Sequence, residues 1–175
     1  MPDAAHRGRV IIYTGDGKGK TTAALGTALR AVGQGIAAGV VQFVKAEPCG
    51  EHAAAERLAP DLTVRCMGAG WVTGEPADAD RAAAREALAE VRRLLAGGRP
   101  GMVVADEILT AVGLGLLTRE EVEGLLSARP AGTHLVLTGR GAWPALVDGA
   151  DLVTEMRCVK HPFEQGEGPV EGIEY

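Results

Sequence analysis

An α/β fold, with a mostly parallel central sheet of about five or six strands covered by helices on both faces, is what the sequence predicts. Three observations lead there. Short apolar runs rich in β-branched residues alternate with Ala/Leu-rich segments of helical spacing. The first apolar run ends directly in a glycine-rich stretch that opens a helix. Two later runs lead into Asp106-Glu107 and Thr138-Gly139-Arg140-Gly141, so that chemistry-bearing residues fall at carboxyl strand ends, where such sheets bind ligands.

The elements follow in order. Residues 9–14 (RVIIYT) read as a strand that ends at the Gly-rich loop, and residues 20–32 as a helix stopped by Gly33 and Gly35. Residues 39–44 (GVVQFV) are a second strand, followed by a loop rich in proline, glycine and charge. Residues 62–67 (LTVRCM) are a third strand, and 69–76 (AGWVTGEP) an irregular loop. Residues 77–96 form an amphipathic helix with Ala87, Leu88, Val91, Leu94 and Leu95 on one side, ended by Gly97 and Gly98. Residues 101–105 (GMVVA) are a buried strand running into Asp106 and Glu107. A short helix near 108–115 comes next. Thr118 with Glu121 is a capping box opening a helix to about Ser127. Residues 134–138 form a strand, 142–149 a helical turn, and 151–156 a last strand. The start, 1–8, reads as flexible, and the tail, 160–175, as irregular.

The 175 residues suit one domain with a full core, and 46% hydrophobic residues make it globular. No repeat or long linker divides it. No apolar run is long enough for a bilayer and no charged-then-apolar leader opens the chain, so the expectation is a cytoplasmic protein without a membrane partner. A net charge of −5 argues against broad nucleic-acid binding. Cys49, Cys66 and Cys158 form no C-x-x-C pair, which favours free thiols over a disulfide or zinc site.

The stretch from Thr14 to Gly26, TGDGKGKTTAALG, carries the chemistry. Strand, Gly-rich loop and helix are the context of a phosphate-binding loop. Gly15, Gly17 and Gly19 let backbone N–H groups turn toward an anion, and the helix adds its positive end. Lys20 supplies an ammonium to the phosphates, Thr21 a hydroxyl to Mg²⁺, and Thr22 extends the site. Asp106 and Glu107 stand where a carboxylate for the metal or its water belongs, and oxygen ligands suit Mg²⁺. Lys18 is an additional cation. Asp16 is the odd member, expected to point outward or to pair with Lys18. The count is one short: three residues, not four, separate Gly15 from Gly19, and Thr14 occupies the place of the usual first glycine. The plainer reading is a Gly-rich turn with a chance lysine; the downstream acids weigh against it. The architecture expected is a single three-layer P-loop NTPase-like (RecA-like) domain over 1–175.

Read with the rest of the chain, the loop resembles ATP:corrinoid adenosyltransferases of the CobA/CobO/BtuR type. The blocks that carry the resemblance are residues 11–35, VVQFVKA (40–46), VVADEI (103–108), HLVLTGRG (134–141), 150–166 with VKHPFEQG, and GIEY (172–175). They run in family order over nearly the whole chain, and the C-terminal blocks are far more specific than a phosphate loop. The resemblance implies that the Co(I) of a reduced corrinoid attacks the 5′ carbon of ATP, giving adenosylcorrinoid and intact triphosphate in adenosylcobalamin synthesis or salvage. It implies a nucleotide lying in the reverse sense to most P-loop enzymes, a nucleotide contact at Arg30, a homodimer, and a reduced flavin or flavoprotein as electron donor. It also implies aromatic side chains that displace the corrinoid's lower ligand, in a Gly-aromatic-x-aromatic loop. Trp71 matches the first aromatic, whereas Thr73 stands in place of the second. Packing against the following helix is the bland reading of Trp71. His161 is open to substrate contact or cobalt ligation, and Arg140 and Lys160 to phosphate contacts, corrinoid contacts or surface ion pairs. Two rival activities stay open at this point: a P-loop ATPase or kinase cleaving a phosphoanhydride, and a nucleotide-gated corrinoid-binding protein.

Overall fold

Six five-residue-scale strands line up side by side, all parallel, in the order β3-β2-β4-β5-β1-β6. The computed structural model describes residues 7–72 and 74–173. The strands are β1 (Val10–Thr14), β2 (Ala38–Gln42), β3 (Leu62–Cys66), β4 (Met102–Asp106), β5 (His134–Thr138) and β6 (Leu152–Glu155). The helices are α1 (Lys20–Gly33), α2 (Gly50–Glu56), α3 (Asp78–Ala96), α4 (Ile108–Gly113), α5 (Arg119–Ala128) and α6 (Pro144–Asp148).

Side chains alternate across the strands and sort the core into two layers. Val103, Ala105, Leu135 and Leu137 face α3 to α6, meeting Leu88, Val91, Leu95, Leu125 and Leu146. Met102, Val104 and Val136 face the other way, toward Ala24, Ala28 and Ala31 of α1 and Ala55 of α2. Small alanines on α1 let that helix approach the sheet closely, which holds its N-terminus against the strand ends. β2 and β4 are buried along their whole length, as central parallel strands must be. Thr118 caps α5 as its sequence requires: its hydroxyl accepts the Glu121 N–H, and Glu121 accepts the Thr118 N–H.

One element departs from expectation. Residues 50–56, read as loop, form α2. Only Ala55 of that helix is buried, so it carries no apolar stripe to announce it. The tail forms a single 3₁₀ turn at Pro162–Gln165. β6 is an edge strand exposed along its length. The flexible start expected at 1–8 falls mostly on residues outside the described ones.

Candidate functional site

Four strand ends make the floor of the site. Gln42 pairs in register with Asp106, and Tyr13 with Thr138, so Thr14, Gln42, Asp106 and Thr138 reach the carboxyl edge together. β5 lies between the loop strand and the acid strand. Asp106 is 2% exposed. Its carboxylate accepts the Thr138 hydroxyl at 2.7 Å, the Gln42 amide at 3.2 Å and the Thr21 hydroxyl at 3.0 Å. Burial pushes its pKa up, against the pull of those hydrogen bonds. A buried carboxylate held by three neutral donors is poised for a cation.

The loop itself explains the miscount. Thr14 is still part of β1, paired with Glu155 of β6, and its hydroxyl accepts the Ala142 N–H at 3.4 Å. The turn therefore begins one residue later, at Gly15, whose φ of 96° lies in the left-handed region; a Cβ there would stand 2.4 Å from the Met156 carbonyl oxygen. Gly17 N–H donates to that same carbonyl at 2.7 Å, so the loop is braced by the segment after β6. Gly19, at φ 115°, delivers the chain into α1.

Lys20 is buried, and its ammonium donates to the carbonyls of Gly15 and Gly17 at 2.9 Å each. Burial lowers its pKa, while the charge of Glu107 pulls the other way. Arg140 is close enough to lower it as well, and its guanidinium reaches the Asp16 carbonyl at 3.5 Å. Asp16 itself is exposed. Glu107 adopts φ 62°, the one described non-glycine residue with positive φ. Its backbone N–H donates to Thr138 and its carboxylate accepts the Thr110 hydroxyl. This is strained backbone, and it persists where neighbouring contacts hold it.

Above this floor opens a cavity of about 780 Å³. Lys18, Gly19, Lys20, Thr21, Thr22, Asp106 and Glu107 all border it, as sequence reasoning expects. Trp71 stands at its rim, 84% exposed, with Gly70 beside it. Thr73 lies outside the described residues. Arg30 is exposed in the last turn of α1 and does not join the cavity; nor do Lys160 or His161. His161 instead accepts the Phe163 N–H at 3.2 Å and caps the 3₁₀ turn. Sequence reasoning missed other lining residues: Gln42, Lys45, Glu51, Thr110 and, from the tail, Gly172 and Ile173. Lys45 and Glu51 form an ion pair at 2.6 Å. Their signal was present, since VVQFVKA and GIEY stand out as blocks, but nothing in one sequence tells which block members face a ligand.

The oxygen donors fit Mg²⁺: the Thr21 hydroxyl and Asp106 carboxylate are adjacent and hard. No cluster of three His, Cys, Asp or Glu suited to a metal occurs among the described residues, so such an ion would complete its shell from phosphate and water.

A parallel sheet ending in a glycine loop, a buried lysine and a Thr–Asp pair defines a P-loop nucleotide-binding protein. The comparison with known proteins narrows this. The family model for ATP:corrinoid adenosyltransferase BtuR/CobO/CobP matches residues 6–175. The chain is 44% identical over 170 residues to the corrinoid adenosyltransferase CobA of Salmonella typhimurium, covering 97% of this chain and 86% of that one. It is 42% identical to a corrinoid adenosyltransferase of Escherichia coli, with the same coverage of each chain. A Pseudomonas aeruginosa corrinoid adenosyltransferase is 41% identical, over 97% of this chain and 84% of its own. The chain belongs to the ATP:corrinoid adenosyltransferase family.

Proposed function

We propose that this chain transfers the 5′-deoxyadenosyl group of ATP to the Co(I) of a reduced corrinoid and releases triphosphate whole. The observation that carries the assignment of roles is the layout of the cavity. Its floor brings Lys18, Lys20, Thr21, Thr22, Asp106 and Glu107 together, and its rim carries an exposed tryptophan.

In this reading the triphosphate lies along the loop, terminal phosphate innermost. Lys20 leaves the carbonyls of Gly15 and Gly17 and turns its ammonium to the phosphates. The N–H groups of Gly19 to Thr22, at the α1 N-terminus, donate to the remaining oxygens. Lys18 and Arg140 add positive charge at the two sides. Thr21 and Asp106 would hold Mg²⁺, with Glu107 on its water, and the ion supplies charge neutralisation of the departing phosphates. Cobalt attacks C5′, the C–O bond breaks, and the electron pair leaves on triphosphate. The nucleophile has no proton to lose, so the protein's task is to stabilise developing negative charge. Trp71 covers the lower face of the corrinoid; Arg30, Thr73, Lys160 and His161 are assigned to substrate contacts. The reading also includes a homodimer, a reduced flavin or flavoprotein as donor, and a cytoplasmic setting. Among the described residues no helix is long and apolar enough to cross a membrane.

Phosphorus NMR after incubation with MgATP and chemically reduced corrinoid tests this. Tripolyphosphate with a new Co–C absorption supports it. ADP with phosphate means a phosphoanhydride-cleaving enzyme, and binding without product means a carrier.

A further inference from the structure

Beside the cavity, and outside the groups assigned to the reaction, two cysteines converge. Cys49 precedes α2 and Cys66 ends β3, seventeen residues apart in sequence. Both thiols donate to one acceptor, the Glu47 carbonyl oxygen, at 3.7 Å and 3.3 Å. That shared contact holds the sulfurs within about 7 Å of each other, a gap a small loop movement closes. Both side chains are part-exposed.

Each sulfur has its own polar neighbour. The Lys45 ammonium lies against Cys49. The His52 ring lies between the two: Nδ1 accepts the Cys49 backbone N–H at 3.0 Å, which leaves the proton of the neutral ring on Nε2, 3.0 Å from the Cys66 sulfur. That N–H stabilises a thiolate at Cys66. Burial raises the Cys66 pKa, so the resting form is the thiol. The segment bearing Cys49 also carries Lys45, Glu47 and Glu51, all cavity-lining. Cys66 reaches the cavity wall too, through the Gln42 side-chain oxygen at 3.5 Å.

We infer that Cys49 and Cys66 are an oxidisable thiol pair whose disulfide reshapes the 45–51 wall of the nucleotide cavity and weakens nucleotide binding. A peroxide is the oxidant. The Cys49 sulfur attacks one peroxide oxygen; the O–O bond breaks, and the leaving oxygen takes the Cys49 thiol proton and departs as water or alcohol. The Cys66 sulfur then attacks the sulfenic sulfur; S–S forms, S–O breaks, and the hydroxide takes the Cys66 proton as water. Two thiols are oxidised and one peroxide is reduced. Closing the bond draws Cys49 from Lys45 and displaces the His52 ring, so the Lys45–Glu51 pair shifts with it.

The test uses the full chain carrying Cys158→Ser, so that only the pair remains. Hydrogen peroxide treatment followed by peptide mapping without reductant should show a Cys49–Cys66 crosslink, with the loss of two hydrogen masses. Calorimetry should show MgATP binding weakened about tenfold, recovered with dithiothreitol. The same chain with Cys49→Ser should bind MgATP normally before treatment and lose no affinity on brief oxidation. Thiols that stay reduced, a Cys66 that proceeds to sulfinic acid without the crosslink, or a crosslinked protein with unchanged affinity would each overturn the inference.

Discussion

The two ends of the cavity are built differently. At the inner end, Lys20, Asp106 and Thr138 are buried; Lys20 donates to the loop carbonyls of Gly15 and Gly17, and the Thr138 hydroxyl donates to Asp106 between neighbouring strand ends. At the outer end, Trp71 is 84% exposed and Ile173 is 65% exposed, on segments outside the sheet and its helices. Donors fixed in place are most effective where charge develops, and packed strand ends and a braced loop hold them near it. A large planar substrate is better met by side chains that close on it after it arrives. On the proposed function this difference divides the labour of one cavity: the sheet end would hold the leaving group, and the loops would receive the nucleophile.

Substitutions that keep the fold but strike one end can break this division. The largest effect belongs to Lys20→Ala. Its loss should lower turnover by about a hundredfold or more, since one oriented charge is removed from the leaving group. Circular dichroism should be unchanged. Residual turnover near that of the parent would show that the loop does not hold the triphosphate. Asp106→Asn comes next. It keeps the volume and can keep the Thr138 contact but removes the charge, so half-saturation by Mg²⁺ should rise about tenfold with corrinoid affinity unaffected. A matching loss on the corrinoid side would mean that the two ends are not separable.

At the rim the signature reverses. Trp71→Ala should weaken corrinoid binding and slow Co(II) reduction while leaving the KM for ATP in place. Stability should move by about 0.5 kcal/mol or less, as for an exposed residue. An unchanged reduction rate would remove Trp71 from the corrinoid face. Ile173→Ala should act the same way but more weakly, by a few-fold in corrinoid KM, because it offers one aliphatic contact beside the tryptophan.

The smallest effect lies away from both ends and serves as a control. The Arg93 hydrogen bond holds the Glu90 carboxyl below its ordinary value, with the Arg65 charge adding to it. Because the folded pKa is the lower one, this contribution is fully present above the ordinary carboxylate value. It is lost as pH falls through the folded value. Both arginines are more than half exposed, so Glu90→Gln should cost about 1 kcal/mol or less at neutral pH, with the difference fading in acid. Denaturant melts across that range check the sign, and neither substrate's KM should respond.

The same contrast governs what could be read without coordinates. The sheet, five of the six helices and the glycine-rich loop that opens α1 were legible, because apolar periodicity and glycine placement are local signals. Helix α2 was not: GEHAAAE buries one alanine and is ordered by neighbours instead of by its own pattern. Thr14 looked like a defect in a motif. Its pairing with Glu155 shows a strand carried one residue further before the loop begins. Gln42 and Thr138 were hidden because their meaning is a register, set by strands distant in sequence. The rim was least legible, since Ile173 reaches the cavity through an irregular tail with no periodicity to read.

ATP carrying a heavy oxygen isotope at the bridge between C5′ and the α-phosphorus tests the central claim most directly. If the floor grips triphosphate as a leaving group, mass spectrometry will find the heavy oxygen in the released triphosphate and none in the adenosyl product. Heavy oxygen retained on the nucleoside would place the broken bond between that oxygen and the α-phosphorus, and heavy oxygen recovered in ADP would place it among the phosphates; either result would contradict the account.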